Sequence, residues 1–132
     1  MNTGNHLISN LISKINLGAI RRLRFIKINV NDTYLDILKI LYNQGCIRTY
    51  IIKNNNILIY YKYYYSRIAI KLSIVSTPSN RIYWSLKQLS NKYNNNNFSG
   101  FFIISTQNGL YSSNSCLIQK HISGEILIKV EV

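Results

Sequence analysis

Residues 31–63, NDTYLDILKILYNQGCIRTYIIKNNNILIYYKY, decide the fold because they change from a helical to a strand pattern within one segment. The first part predicts an amphipathic helix, whose apolar face consists of Tyr34, Ile37, Leu38 and Leu41. Asn31 or Asp32 is suited to cap its N-terminus, and Gly45 stands where a glycine favours helix termination.

The second part of this stretch predicts a β-hairpin. Strands are expected at residues 47–52 and 57–63, joined by a turn at residues 54–56. Five tyrosines crowd its end, at positions 60, 61, 63, 64 and 65. Two explanations stay open for them: strand propensity together with codon bias, or rings that stack on RNA bases.

The flanking segments extend this pattern in both directions. Upstream, the periodicity predicts a helix over residues 6–16 and a short strand over 25–30. Downstream, strands are expected at 67–75, 81–84, 98–105 and 126–130, with short helices at 86–93 and from Ser112 or Ser113 to Lys120.

The order of elements predicts an α+β fold with two domains. An N-terminal α-β-α-β-β domain, residues 1–66, is expected to pack against a β-rich C-terminal domain with short helices, residues 67–132. No Gly/Pro/Ser-rich break precedes residue 67, so we expect no flexible linker between the domains.

The charge balance limits the possible partners. Sixteen Lys and Arg residues stand against four acids, and the formal net charge of +12 requires a polyanion to offset self-repulsion. An anionic membrane and a nucleic acid both qualify, but no run of about 18 apolar residues is present, so membrane insertion is not expected. Nucleic acid is the favoured partner.

The residues that carry chemistry do not form a catalytic or metal-binding pattern. Cys46 and Cys116 are far apart, and His6 and His121 complete no zinc spacing, so no metal or other cofactor is expected. Both thiols are expected to act as small core side chains. No acid orients either histidine locally, and no phosphate-binding glycine loop occurs, so the chain is not expected to be an enzyme or to take a small-molecule substrate.

The amino-acid usage suggests where the chain is made. Ile, Asn, Tyr and Lys are over-used and are encoded by A/T-rich codons, which is typical of organellar genomes. The first twenty residues carry no arginine and no signal-peptide apolar region, so a cleaved targeting segment is not expected. Synthesis inside an organelle follows, with the mitochondrion favoured over the plastid.

Residues 103–111, IISTQNGLY, pass from an apolar strand into small neutral polar residues and a glycine. The residues alone favour a β-turn that uses Asn-Gly where a positive φ is needed. The alternative is a loop whose short donors and acceptors contact RNA.

Four motifs in order resemble the bacterial-type small-subunit ribosomal protein eight family, over most of the chain from about His6. They are Asn43-Gln44-Gly45-Cys46-Ile47, Ser76-Thr77-Pro78-Ser79-Asn80-Arg81-Ile82-Tyr83, Ile104-Ser105-Thr106-Gln107-Asn108-Gly109-Leu110-Tyr111 and Gly124-Glu125. The chain departs from the family pattern in using Gln107 for a serine, Ser79 and Ser123 for glycines, and Cys116 for a small alanine.

The resemblance implies a structural constituent of the small ribosomal subunit that binds and stabilises the central domain of small-subunit rRNA. Neighbouring small-subunit ribosomal proteins are the other implied partners. The residues implied to contact rRNA are Arg81, Tyr83, Ser105, Thr106, Gln107, Asn108, Gly109, Lys120, Ser123, Gly124 and Glu125. The competing function is a free-standing basic protein that binds RNA or an anionic membrane outside the ribosome.

Two of these residues admit a second role. Glu125 is one of only four acids, and we expect it to orient the loop at Ser105 and Thr106 rather than to meet a base, because an unbonded carboxylate beside phosphates is costly. Tyr83 could pack in the core or contact RNA, and the resemblance favours contact.

Overall fold

The computed structural model describes residues 3–64, 67–68, 70–76, 80–84, 88, 100–106, 109–113 and 124–131. Its helices are α1 (Thr3–Ile20) and α2 (Asp32–Asn43). Its strands are β1 (Phe25–Asn29), β2 (Ile47–Lys53), β3 (Asn56–Tyr61), β4 (Tyr63–Tyr64), β5 (Arg67–Ile68), β6 (Lys71–Ile74), β7 (Tyr83–Trp84), β8 (Gly100–Thr106), β9 (Gly109–Ser112) and β10 (Gly124–Glu131). The expected α+β class is confirmed.

Helix α2 forms as its sequence predicts. The Asn31 side chain accepts a hydrogen bond from the Thr33 amide at 2.9 Å, so Asn31 rather than Asp32 is the N-cap. Gly45 has φ +77°, the left-handed conformation that ends a helix. The four residues of the expected apolar face are all buried.

Helix α1 extends further in both directions than the predicted 6–16. Its buried face is lined by Ile8, Leu11, Ile12, Ile15 and Ala19. The Tyr61 hydroxyl donates to the Ile15 carbonyl at 2.7 Å, which ties the helix to β3. Gly18 permits this close approach, because a Cβ there would collide with the Tyr61 hydroxyl.

Strands β1, β3 and β2 form an antiparallel sheet in that order. The β2–β3 turn places Asn54 and Asn55 at φ 50° and 62°, the geometry of a type I′ turn. Cys46 is buried, as expected, and burial raises the pKa of its thiol to about 11, partly countered by Lys62. Cys116 lies outside the described residues.

Residues 67–75, which were expected to form one strand, are divided between two strands. The expectation of a single strand is therefore wrong. Strand β5 pairs with β4, whereas β6 joins a second sheet. Ile70 and Leu72 are buried as the alternation predicts. Alternation fixes which side chains face inward, but it does not specify the strand with which each part pairs.

The second sheet has the order β6-β10-β8-β9, with β7 also paired to β10. A cluster of Phe102, Ile104 and Ile126 lies at its centre. Trp84 packs edge-on against Phe102, with the two ring centroids 5.1 Å apart. Strand β9 was not predicted from the sequence. The helices expected at 86–93 and from Ser112 or Ser113 to Lys120 fall almost wholly outside the described residues, and Ser112 belongs to β9.

The chain divides into two compact units, Met1–Leu72 and Ser73–Glu131. Division into domains at residues 66 and 67, and their close packing, stay predictions. Within the described part of the chain, neither helix is both long enough and apolar enough to cross a membrane.

Candidate nucleic-acid interface

Three strand ends meet at the start of β10. Glu125 is the register partner of Ser105 at the end of β8 and of Tyr83 at the start of β7. Gly124 is paired with Trp84. Residues that are distant in the sequence are therefore adjacent in one sheet.

An ion pair lies at this meeting point. Arg81 Nη1 donates to Glu125 Oε1 at 2.9 Å and lies 3.4 Å from Oε2. The Glu125 side chain is mostly buried, at 11% exposure, whereas the Arg81 side chain is 32% exposed. A single guanidinium nitrogen, Nη1, contacts both carboxylate oxygens. The contact therefore positions Arg81 without using all of its N–H donors. The Glu125 carboxylate therefore positions Arg81, a partner that the sequence did not predict, and its expected orienting of the loop at Ser105 and Thr106 stays a prediction.

Ser76 holds the segment that carries Arg81 against β10. Its buried hydroxyl donates to the Ile126 carbonyl at 2.6 Å and accepts from the Ile82 amide at 3.0 Å. The Ile126 amide donates to the Ile82 carbonyl at 2.9 Å. Ser76 was not among the predicted site residues, although a serine that opens a proline-containing turn is a usable signal for such a bridge.

The IISTQNGLY stretch is a β-hairpin formed by β8 and β9. Ser105 pairs with Leu110 and Thr106 with Gly109, and the Thr106 hydroxyl donates to the Gly109 carbonyl at 2.9 Å. Gly109 has φ +122°, which side-chain-bearing residues rarely adopt, although a Cβ there would meet no atom within 4 Å. The glycine is therefore needed for its backbone conformation. Gln107 and Asn108 lie outside the described residues.

Gly124 is needed for a different reason. A Cβ at this position would collide with the carbonyl oxygen of Ser105 and would lie 3.0 Å from Ile104 Cγ2. The absent side chain allows β10 to approach the end of β8 closely. This glycine sets the distance between Glu125 and the Ser105 backbone.

Tyr83 presents its ring to solvent, with 63% of the residue exposed. The sequence left open that Tyr83 packs in the core, and that alternative is therefore wrong. The next residue, Trp84, fills the apolar cluster instead. Lys120 and Ser123 lie outside the described residues, so the described part of the site comprises Arg81, Tyr83, Ser105, Thr106, Gly109, Gly124 and Glu125.

The positive charge is concentrated away from these residues in the sequence. Eleven of the sixteen Lys and Arg residues belong to Met1–Leu72, and only five belong to the rest of the chain. The described hairpin residues Ser105, Thr106 and Gly109 are uncharged. This surface is suited to selective hydrogen bonding and stacking rather than to bulk attraction.

Comparison with known proteins gives the same family throughout. The family model described as Ribosomal protein S8 matches residues 6–130. Small ribosomal subunit protein uS8m of Acanthamoeba castellanii is 34% identical over 126 residues, which covers 94% of this chain and 98% of the relative.

Bacterial relatives match as well. Small ribosomal subunit protein uS8 of Rickettsia typhi is 35% identical over 106 residues, covering 71% of this chain and 73% of the relative. The protein of the same name from Rickettsia massiliae is 28% identical over 135 residues and covers 93% and 95% of the two chains. The family model spans residues 6–130, which include the residues of the surface described above, and the chain accordingly belongs to the ribosomal protein S8 family of small-subunit constituents.

Proposed function

We propose that this protein binds and stabilises the central domain of small-subunit rRNA through the surface formed by Arg81, Tyr83, the β8–β9 hairpin and Gly124-Glu125. The observation that carries the proposal is the convergence of these residues at one end of the sheet, with the guanidinium of Arg81 fixed by Glu125. Family membership supports the assignment to a structural role in the ribosome.

Each group has a distinct part in RNA recognition. The exposed Tyr83 ring is available to stack on an unpaired base, and Arg81 donates to a phosphate or a base edge. The Ser105 hydroxyl can donate to or accept from 2′-hydroxyl groups and base edges in a shallow groove, whereas the Thr106 hydroxyl, which donates to the Gly109 carbonyl, can only accept from them. Gln107, Asn108, Lys120 and Ser123 are proposed to complete the surface.

Affinity and selectivity come from different parts of the chain. The lysines and arginines neutralise phosphates and release counterions, which strengthens binding to any RNA at low salt. The hairpin contributes little to this attraction and selects for shape and for the pattern of donors and acceptors. Holding one geometry of the rRNA is the proposed contribution to assembly and translation.

We place the protein in the mitochondrial small ribosomal subunit. The Acanthamoeba relative is a mitochondrial small-subunit protein, and the A/T-rich codon usage agrees with an organellar gene. Neighbouring ribosomal proteins of that subunit are the further proposed partners. The plastid ribosome is the alternative location.

The test is a pair of titrations in which fluorescence anisotropy measures RNA binding. One RNA is a central-domain fragment of the cognate small-subunit rRNA, and the other is a random duplex of equal length, both measured over a salt series. Ser105→Ala should weaken binding to the rRNA fragment by roughly 2- to 10-fold, the value of one hydrogen bond, and leave the duplex unchanged. Equal affinity of the wild-type protein for both RNAs at every salt concentration would contradict the proposal.

A further inference from the structure

A groove runs beside strand β1 in the Met1–Leu72 unit. Its volume is about 350 Å³, and its lining includes Lys14, Leu17, Arg21, Leu23, Phe25 and Lys27. None of these residues belongs to the proposed rRNA surface. The groove therefore requires an explanation of its own.

The groove is apolar and open. Leu17, Leu23 and Phe25 keep 48%, 41% and 45% of their surface exposed. Its shape is fixed at Leu23, whose amide donates to the Gly18 carbonyl at 3.0 Å and whose carbonyl accepts from the Tyr63 hydroxyl at 2.5 Å. An exposed apolar surface of this kind is typical of an interaction site.

Strand β1 offers hydrogen bonds along the groove. It lies at the edge of the β1-β3-β2 sheet, as far as the described residues show. The Tyr61 amide donates to the Arg24 carbonyl and the Val30 amide donates to the Asn55 carbonyl. In an antiparallel ladder, even-numbered residues of β1 therefore bond to β3, and Phe25, Lys27 and Asn29 direct their amides and carbonyls outward.

Among the described residues that line the groove, every charged side chain is basic. Lys14, Arg21 and Lys27 line it, and the sequence contains no acid before Asp32. Such a rim is complementary to carboxylates placed beside apolar side chains. Phosphate would satisfy the cations but would leave the aliphatic floor uncovered, so the combination favours a peptide over RNA.

We propose that this groove docks an extended acidic-apolar segment of another protein, which adds a strand to the β1 edge. Main-chain hydrogen bonds form to residues 25, 27 and 29, apolar side chains of the segment cover Leu17 and Phe25, and its carboxylates meet the basic rim. Two molecules would then bind one chain independently, an RNA at the β8–β9 hairpin and a peptide strand at β1.

The probe is a capped ten-residue peptide of alternating valine and glutamate, titrated into the ¹⁵N-labelled full chain. The expected result is saturable shifts of the Phe25, Lys27 and Asn29 amides, with slowed hydrogen exchange at all three. A valine–lysine peptide should give no shifts. Failure of the valine–glutamate peptide to shift these amides, or equal shifts with both peptides, would overturn the proposal.

A matched pair of variants identifies the groove as the binding site. Leu17→Glu places a carboxylate on the groove floor and should weaken peptide binding by about tenfold or more. Ile52→Glu makes the same change at a residue of β2 that is 54% exposed and outside the groove, and should leave peptide binding unchanged. Equal weakening by both variants would overturn the proposal.

Two further measurements separate this proposal from other occupants. The rRNA titration of Leu17→Glu should match that of Ile52→Glu, since both variants add one negative charge and leave the hairpin surface untouched. Displacement of the peptide by the rRNA fragment would instead make the groove an RNA site. Concentration-dependent dimerisation that Leu17→Glu abolishes would make a second copy of this chain the occupant, and either result would overturn the proposal.

Discussion

Arg81 and Glu125 form a 2.9 Å ion pair across 44 positions of the sequence, and the Glu125 side chain is mostly buried. One of only four acids in a strongly basic chain is thus used to hold an arginine at the surface. A carboxylate near phosphates weakens general RNA attraction, so its presence is best explained by the position it gives to Arg81. Disturbing this ion pair or the contacts that support it should therefore impair recognition.

Ser76→Ala should destabilise the protein and loosen Arg81. The change leaves the Ile82 amide and the Ile126 carbonyl without their hydroxyl partner, and we expect a loss of about 1–3 kcal/mol in the free energy of unfolding. Urea denaturation measures this. Ser73→Ala, at a half-buried serine of β6, should stay within about 0.5 kcal/mol of wild type. Similar losses in both variants would remove the special role of Ser76.

Gly124→Ala should cost stability through steric contact with the Ser105 carbonyl. Overpacking of this kind is expected to lower the free energy of unfolding by about 1–3 kcal/mol and to displace the end of β8. Selective rRNA binding should fall at the same time, at a temperature where the variant is still folded. A variant with wild-type stability and wild-type rRNA affinity would contradict the close approach described here.

Arg22→Gly should have opposite effects on folding and on binding. Arg22 has φ +57°, so glycine relieves backbone strain and should stabilise the protein by roughly 1 kcal/mol. The lost charge should lower affinity for all RNAs. If Arg22 contacts a phosphate, the slope of log binding constant against log salt concentration should become shallower by roughly 0.7–0.9. Arg24→Ala, where no positive φ occurs, should lose charge without gaining stability. Melting temperatures and salt titrations of the two variants test this, and destabilisation by Arg22→Gly would contradict it.

Cys46 should make stability fall at alkaline pH. Burial raises the pKa of its thiol from 9.0 to about 11, so the folded state resists an ionisation that the unfolded chain allows. The stabilisation is fully present below pH 9 and is lost between about pH 9 and 11, by at most about 2–3 kcal/mol. Cys46→Ala should show a shallower decline in urea denaturation over this range. Parallel curves for the two proteins would show that the thiol is not the cause.

The sequence predicted those parts of the fold that depend on local patterns. The α2 helix and the β2–β3 hairpin follow from the spacing of apolar residues and from Asn31, Gly45 and the asparagine turn. The division of residues 67–75 between β5 and β6 could not be predicted in this way, because strand partners are chosen by long-range pairing.

The candidate site was only partly predictable, because local motifs do not show which residues meet through long-range contacts. Motifs identified Arg81, Ser105, Gly109 and Glu125, but their sequence positions did not reveal that Glu125 would pair with Arg81. Ser76 and Trp84 were missed as site-supporting residues because their roles depend on contacts with β10 and β8. Charge composition predicted a polyanionic partner without specifying the residues that would select one RNA over another.

The most direct test compares Glu125→Gln with Glu131→Gln on the cognate central-domain rRNA fragment and on a random duplex at matched salt. Both variants remove one negative charge from β10, but the Glu131 side chain is 42% exposed, with its Oε1 3.7 Å from Lys129 Nζ. Glu131→Gln should bind both RNAs as tightly as wild type or slightly more tightly. Glu125→Gln should bind the rRNA fragment roughly 3- to 10-fold more weakly, although its charge is more favourable, because Arg81 loses a charge-assisted hydrogen bond. If Glu125→Gln instead tightens binding to both RNAs as Glu131→Gln does, Arg81 is not positioned for recognition and the account of this surface is wrong.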